Sequence, residues 1–226
     1  MRLEKPISKY IDHTILKHHV DQHEFVKVIE ECKAFDFAMI AINSEKVSFC
    51  KAHLKDTDVH VGAAIGFPLG QTTTSVKAFE TKQAIIEGAD EIDYVINLCD
   101  VKDQNYQNIQ KEMETIVSIC RKHHVISKVI FENCYLTRKE IIKLCELASV
   151  VKPDFIKTST GFGDYGARIE DVKLMREHTS DDVQIKAAGG VRDLASALAM
   201  IEAGATRIGT SAGVSIVNEY LAIYGS

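Results

Sequence analysis

Gly88-Ala89-Asp90-Glu91-Ile92-Asp93-Tyr94-Val95-Ile96-Asn97 is the stretch on which the fold turns. The residues ahead of it, 73–87, repeat apolar positions at helical spacing, and Gly88 stands where a left-handed helix end needs glycine. From Glu91 the period changes to two, so Glu91, Asp93 and Val95 share one strand face and Ile92, Tyr94 and Ile96 the other. The same passage from helix to apolar strand recurs along the whole chain. Strands are expected at residues 11–14, 37–43, 59–66, 91–97, 128–133, 155–160, 184–188 and 207–210. Helices are expected between and after them, at 24–34, 44–54, 73–87, 106–123, 138–149, 169–177, 194–203 and 214–224. Eight strand–helix units in 226 residues predict an α/β fold, a single-domain parallel (β/α)8 TIM barrel. An open, doubly wound sheet is the alternative, because it needs a count different by only a strand or two.

Helix borders agree with that count. Thr137 ahead of Arg138-Lys139-Glu140 predicts an N-cap with a capping box, and Gly204 closes the seventh helix as Gly88 closes the third. No Pro-, Ser- or Gly-rich linker divides the chain, so residues 1–226 read as one domain with residues 1–10 as an N-terminal extension.

An apolar fraction of 46% suffices for a large core, and 26% charged residues suit a soluble surface. A net charge of -5 with no basic run argues against a nucleic-acid partner. No apolar stretch is long enough to span a bilayer and the first residues lack a signal peptide's apolar segment, so a cytoplasmic protein without a membrane partner is expected. Six cysteines, none in a C-x-x-C pair, read as small core residues in a reducing compartment.

Two lysines stand where lysine is costly. Lys157 lies in Phe155-Ile156-Lys157-Thr158-Ser159-Thr160-Gly161, and Lys186 in Val183-Gln184-Ile185-Lys186-Ala187-Ala188-Gly189-Gly190. Burial disfavours an ammonium and frees the amine as a nucleophile, and a second lysine nearby pushes the same way. Schiff-base chemistry on a carbonyl compound follows from that arrangement. In a (β/α)8 barrel Asp12, Asp93, Lys157 and Lys186 can converge on the C-terminal mouth. Asp93 is the candidate for proton transfer, whereas Asp90 and Glu91 read as an exposed strand entrance. Asp12 reads as an orienting group without chemistry of its own. The bland alternative makes Lys157 a packed stem paired with Asp93, and Lys186 a charge partner.

Gly189-Gly190 after the seventh strand and Gly209-Thr210-Ser211 after the eighth would expose backbone N–H groups where barrels commonly hold phosphate. Ser211 and the N–H groups near Gly213 would complete that cup. His19 and His23 have metal-compatible spacing but no carboxylate or Cys partner, and read as a solvated helix start; no metal and no cofactor are expected. No G-x-S-x-G supports a serine hydrolase.

These blocks together resemble the deoxyribose-phosphate aldolases. The resemblance starts at Ile11-Asp12-His13-Thr14-Ile15-Leu16-Lys17, Gly66-Phe67-Pro68-Leu69-Gly70 with Thr72-Thr73-Thr74, and Gly88-Ala89-Asp90-Glu91-Ile92-Asp93. It continues through Phe155 to Gly163, Lys186-Ala187-Ala188-Gly189-Gly190-Val191-Arg192, and Ala203 to Ser211. It implies a metal-free class I aldolase on a (β/α)8 barrel. Such enzymes reversibly cleave 2-deoxy-D-ribose 5-phosphate to D-glyceraldehyde 3-phosphate and acetaldehyde in deoxynucleoside catabolism. By the same resemblance Lys157 forms the Schiff base, Asp93 moves protons and Lys186 tunes Lys157. Asp12 and Thr14 support the hydrogen-bond network, and Thr160, Gly161, Gly189, Gly190, Gly209 and Ser211 bind the sugar phosphate.

Three positions bear on how far the pattern holds. Ala41-Ile42-Asn43-Ser44 replaces a frequent Cys-Val-Asn-Pro, which predicts lower sensitivity to reactive aldehydes. Gly163-Asp164-Tyr165-Gly166 adds bulk and charge to a glycine-rich loop, and Tyr224 either folds over the site or packs with the last helix. Competing readings are another Schiff-base lyase or transaldolase, a metal-dependent aldolase, and a phosphate-binding module on a dead barrel. A homodimer is the expectation for such barrels, although no single exposed apolar helix face marks an interface.

Overall fold

The alternation of strand and helix closes on itself. In the computed structural model, which describes residues 3–225, the strands are β1 (Ile11–Ile15), β2 (Met39–Asn43), β3 (His60–Ile65) and β4 (Glu91–Val95), then β5 (Ile126–Ile130), β6 (Phe155–Lys157), β7 (Gln184–Ala188) and β8 (Arg207–Thr210). They pair in parallel in chain order, and β8 returns to β1 with Asp12 opposite Gly209. The helices are α1 (Gln22–Phe35), α2 (Val47–Leu54), α3 (Thr74–Ile86), α4 (Leu98–Lys102), α5 (Tyr106–Lys122), α6 (Arg138–Val151), α7 (Ile169–Glu177), α8 (Leu194–Glu202) and α9 (Gly213–Tyr224). The chain forms a single-domain (β/α)8 barrel, not an open sheet.

The local signals act as their chemistry requires. Thr137 and Glu140 form the reciprocal capping box of α6. Gly88 and Gly204 follow α3 and α8 with φ of 105° and 114°. Outward-facing strand residues such as Ile40, Ile92, Tyr94 and Ile156 form the apolar layer beneath the helices. Buried Lys77 of α3 donates to the Val95 carbonyl (2.8 Å) and to Glu112 of α5 (2.8 Å), tying two helices to the end of β4.

Several borders differ from the sequence reading. Residues 128–133 were expected as a strand, but β5 begins at Ile126 and ends at Ile130, and the chain then turns at Glu132 with φ 58°. Residues 155–160 form strand only to Lys157, because Thr158 to Thr160 turn out of the ladder, with the Thr158 hydroxyl on the Ala188 carbonyl, Ser159 on Thr158 and Thr160 on Glu132. The expected helix 44–54 is a 3-10 turn, Ser44–Lys46, followed by α2. Helix α4 was not expected; the Asn97 side chain caps it by accepting from the Cys99 N–H. Glu91, expected at an exposed entrance, is fully buried inside the barrel.

The segment read as an N-terminal extension packs against the floor of the barrel. Its 3-10 turn Ile7–Tyr10 buries Ile7 and Tyr10, and Lys5 Nζ lies 3.3 Å from the carbonyl of Thr206, just ahead of β8. Tyr224 belongs to this end: it ends α9, contacts the Tyr220 ring and borders a groove with Leu3, Lys5 and Phe35. It is helix-packed and far from the barrel mouth. Of the six free cysteines, Cys32, Cys50, Cys120 and Cys145 are buried in the core, while Cys99 is exposed. Among the described residues no helix is long and apolar enough to cross a membrane.

Candidate active site

Period-two alternation turns Asp93 inward from β4, and register then sets its partners. Asp93 lies opposite Lys128 of β5, and Lys157 of β6 lies opposite Lys186 of β7. Lys157 Nζ reaches Asp93 Oδ2 at 2.8 Å and Lys186 Nζ reaches the same oxygen at 2.7 Å. Lys128 Nζ holds the other oxygen at 2.6 Å. Behind them, Lys186 pairs with Asp12 (2.5 Å), Arg207 Nε donates to Asp12 Oδ1 (2.6 Å), and Arg207 and Lys128 both pair with Glu91. His60 Nδ1 lies 2.7 Å from Glu91 at the floor end. The four residues brought forward by the sequence therefore meet, within a larger network.

Lys128, Glu91 and Arg207 were missed as parts of this centre. Glu91 and Arg207 open their strands, and Lys128 opened the strand expected at 128–133 although it sits in the middle of β5; a charge at a strand's start reads as a solvated entrance. One signal was available: the alternation that turns Asp93 inward puts Glu91 on the same face. Barrel interiors are usually filled with branched apolar side chains, so a buried ionic layer points to function rather than packing.

Electrostatics distinguishes the lysines. Burial lowers the Lys157 pKa to about 8; Asp93 opposes that shift and Lys186 adds to it. Burial also works against the Lys128 ammonium, yet Asp93 and Glu91 outweigh it and hold its pKa above the usual lysine value. Burial likewise opposes ionisation of Asp93, but Lys128, Lys157 and Lys186 keep its carboxyl well below the usual range. Inside the barrel Lys128, Lys157, Lys186 and Arg207 face Asp12, Glu91 and Asp93. Those charges balance when Lys157 is neutral.

Above Lys157 opens a cavity of about 590 Å³. Thr14, Thr160, Gly161, Gly189, Gly190, Gly209 and Ser211 line it. Gly189 and Gly190 have φ of 83° and 78°, a conformation that side chains other than glycine rarely adopt. Gly209 makes room for Lys186: a Cβ there would lie 3.1 Å from Lys186 Cε. The hydroxyl of Thr160 is committed to Glu132 and to the Phe162 N–H (3.0 Å), so it fixes its loop. Gly213, at the start of α9, lies close against β1: a Cβ there would come within 2.9 Å of Ile11, His13 and Phe37. Among the described residues no three His, Cys, Asp or Glu side chains cluster to hold a metal ion.

The fold and this constellation define a class: (β/α)8-barrel carbon–carbon lyases built around a buried lysine. A family model described as "DeoC/LacD family aldolase" matches residues 7–219. A deoxyribose-phosphate aldolase of Lactobacillus acidophilus is 53% identical over 209 residues, 92% of this chain and 88% of that protein. One from Thermococcus gammatolerans is 48% identical over 93% of this chain and 95% of its own length. The solved tetrameric deoxyribose phosphate aldolase of Aeropyrum pernix superposes with a TM-score of 0.90 at 25% identity, over 98% of this chain and 94% of that one. The chain belongs to the DeoC/LacD family of aldolases.

Proposed function

We propose that this chain is a class I aldolase that reversibly cleaves 2-deoxy-D-ribose 5-phosphate to D-glyceraldehyde 3-phosphate and acetaldehyde. The observation that carries the reading is Lys157: a lysine with its pKa brought down to about 8, on Asp93, at the base of a cavity whose far wall is glycine-rich. The open backbone at Gly189, Gly190 and Gly209, with Ser211, takes the phosphate, and the aldehyde carbon then reaches Lys157 Nζ.

The neutral amine attacks that carbon, and loss of water leaves an iminium. Asp93 faces the new cation. The electrons of the bond between the second and third carbons flow toward the iminium and form an enamine. The hydroxyl on the third carbon loses its proton and becomes the aldehyde of the departing glyceraldehyde phosphate. The Lys128 and Lys186 ammonium groups make Asp93 a weak base, so a water bonded to it carries that proton. The enamine takes a proton on its terminal carbon, and hydrolysis releases acetaldehyde and restores the amine. General acid–base help of this kind contributes about 10²–10⁴-fold. Lys186 adds its repulsion to the burial that lowers the Lys157 pKa, and Lys128 fixes the second oxygen of Asp93. No step calls for a metal or cofactor.

The setting proposed is cytoplasmic catabolism of deoxynucleoside-derived sugar, without nucleic-acid or membrane partners. A homodimer is also proposed, supported by Val76, Phe79 and Ile86, which form an exposed apolar stripe along α3. That stripe is a surface the sequence reading did not identify. Cleavage assays across deoxyribose 5-phosphate, deoxyribose and other sugar phosphates test the activity. Deoxyribose 5-phosphate should be cleaved fastest, and Lys157→Met should lose activity while staying folded. Tight binding of sugar phosphate without turnover would favour the binding-module reading instead.

A further inference from the structure

We propose that Phe67 and Phe162 form an aromatic wall that restricts the aldehyde donor to two carbons, an inference that rests on the Schiff-base aldolase reading. The cavity that reaches Lys157 is lined from β1, β6, β7, β8 and the segments that follow them, with no residue from β2 to β5. Yet Asp93 and Lys128 stand on β4 and β5, and both are buried. Neither lines that cavity.

Phe67, in the loop after β3, meets Phe162, in the loop after β6, with ring centroids 5.5 Å apart and planes at 89°. This is the favoured edge-to-face arrangement of two aromatic rings. Because β4 and β5 lie between β3 and β6 in the barrel, the contact spans the ends of the strands that carry Asp93 and Lys128. Phe162 also lines the cavity, and its N–H donates to Thr160 Oγ1, which is in turn held by Glu132. With 48% of its surface exposed, Phe162 is not a core residue. Its ring is positioned at a mouth.

The substrate's phosphate end lies toward β7 and β8, and its carbonyl carbon on Lys157. A substituent on the enamine that points away from that line, toward β3 to β5, would meet the two rings. An enamine derived from acetaldehyde carries only hydrogens there. One derived from propanal adds a methyl group to the nucleophilic carbon, and one derived from acetone adds it to the carbon bonded to nitrogen; each is expected to meet the wall. The bond-forming step is the same for each donor: the enamine carbon joins the acceptor's aldehyde carbon, the acceptor oxygen takes a proton, and water releases the product from Lys157.

The test is the synthetic reaction on glyceraldehyde 3-phosphate with acetaldehyde, propanal and acetone, using wild type, Phe67→Ala, Phe162→Ala and Phe162→Leu. One methyl group in an apolar pocket is discriminated by about 10- to 200-fold. Each alanine variant is expected to raise the propanal-to-acetaldehyde ratio of kcat/KM by about tenfold or more, with Phe162→Leu in between. Deoxyribose 5-phosphate cleavage, measured on the same preparations, should persist. An unchanged ratio in both alanine variants, with cleavage intact, would overturn the wall alone. Absence of cleavage in the wild type would overturn the aldolase reading and the wall with it.

Discussion

Lys157 is held partly neutral because burial strips water from its ammonium faster than Asp93 can restore the balance, and Lys186 repels what charge remains. With a pKa of about 8, the amine's neutral fraction climbs as pH rises toward that value and levels off above it. Initial rates of cleavage at low substrate should therefore rise close to tenfold per pH unit well below the pKa and flatten above it. Lys186→Met removes a like charge, so the acid limb should move to higher pH and activity at neutral pH should drop at least about tenfold. A limb that stays in place would deny Lys186 its tuning role. A second expectation concerns Ala41, which is buried beside Thr14 and Gly62 in the ladder. Inactivation by acetaldehyde should quicken in Ala41→Cys; equal rates would sink that idea. At this scale the sequence was legible where a charge interrupts an apolar run, as at Lys157, Lys186 and Asp93. It was not legible at Glu91, Arg207 and Lys128: the first two begin their strands and the third began the expected one, and a charge there looks the same whether water or a buried opposite charge receives it.

The loop after β6 shows how elements depend on one another. It leaves the ladder at Thr158, is gripped by Glu132 at Thr160, and passes Gly166 against the Gly189 turn. A Cβ on Gly166 would come within 2.1 Å of the Gly189 carbonyl oxygen. Gly166→Ala should therefore displace the glycine turn and raise KM for the phosphorylated substrate more than it lowers kcat. Unphosphorylated deoxyribose gives the control, since its KM should change little. The bulk that Asp164 and Tyr165 bring is anchored outside the cavity: Tyr165 stacks beneath Arg168 at 3.5 Å, and its hydroxyl lies 3.4 Å from the Asn133 carbonyl. Helix ends were well read because caps are local chemistry, as Thr137 and Glu140 illustrate. The early end of β6 was not, because Thr158 to Thr160 favour strand by composition, while Glu132, twenty-eight residues away from Thr160, decides their path.

For the whole molecule, closure of eight parallel strands was legible because each strand–helix unit repeats the same pattern. The ionic interior ties stability to pH. The Asp93 carboxyl titrates well below its usual value, and Glu91, where burial is outweighed by Lys128, His60 and Arg207, is also lowered. Groups of this kind stabilise the fold fully above the unfolded carboxylate pKa, near 4, and lose that contribution as pH falls through the lower folded values. Thermal melts should accordingly stay level down to about pH 4 and fall steeply below it. Lys128→Met leaves Asp93 and Glu91 short of a buried partner and should cost about 3–5 kcal/mol, read by denaturant unfolding at neutral pH. The α3 stripe belongs to this scale too. Phe79 and Ile86 are 71% and 77% exposed, so Phe79→Lys should shift sedimentation toward monomer with cleavage retained. The stripe was hidden in the sequence because an apolar position on a barrel helix normally faces the strands.

Borohydride reduction during turnover of deoxyribose 5-phosphate, followed by peptide mapping, tests the central claim most directly. The expected result is a stable two-carbon adduct on Lys157 and on no other lysine. An adduct on Lys186 would exchange the roles of the two lysines, and no adduct from folded, substrate-saturated protein would contradict the Schiff-base mechanism itself.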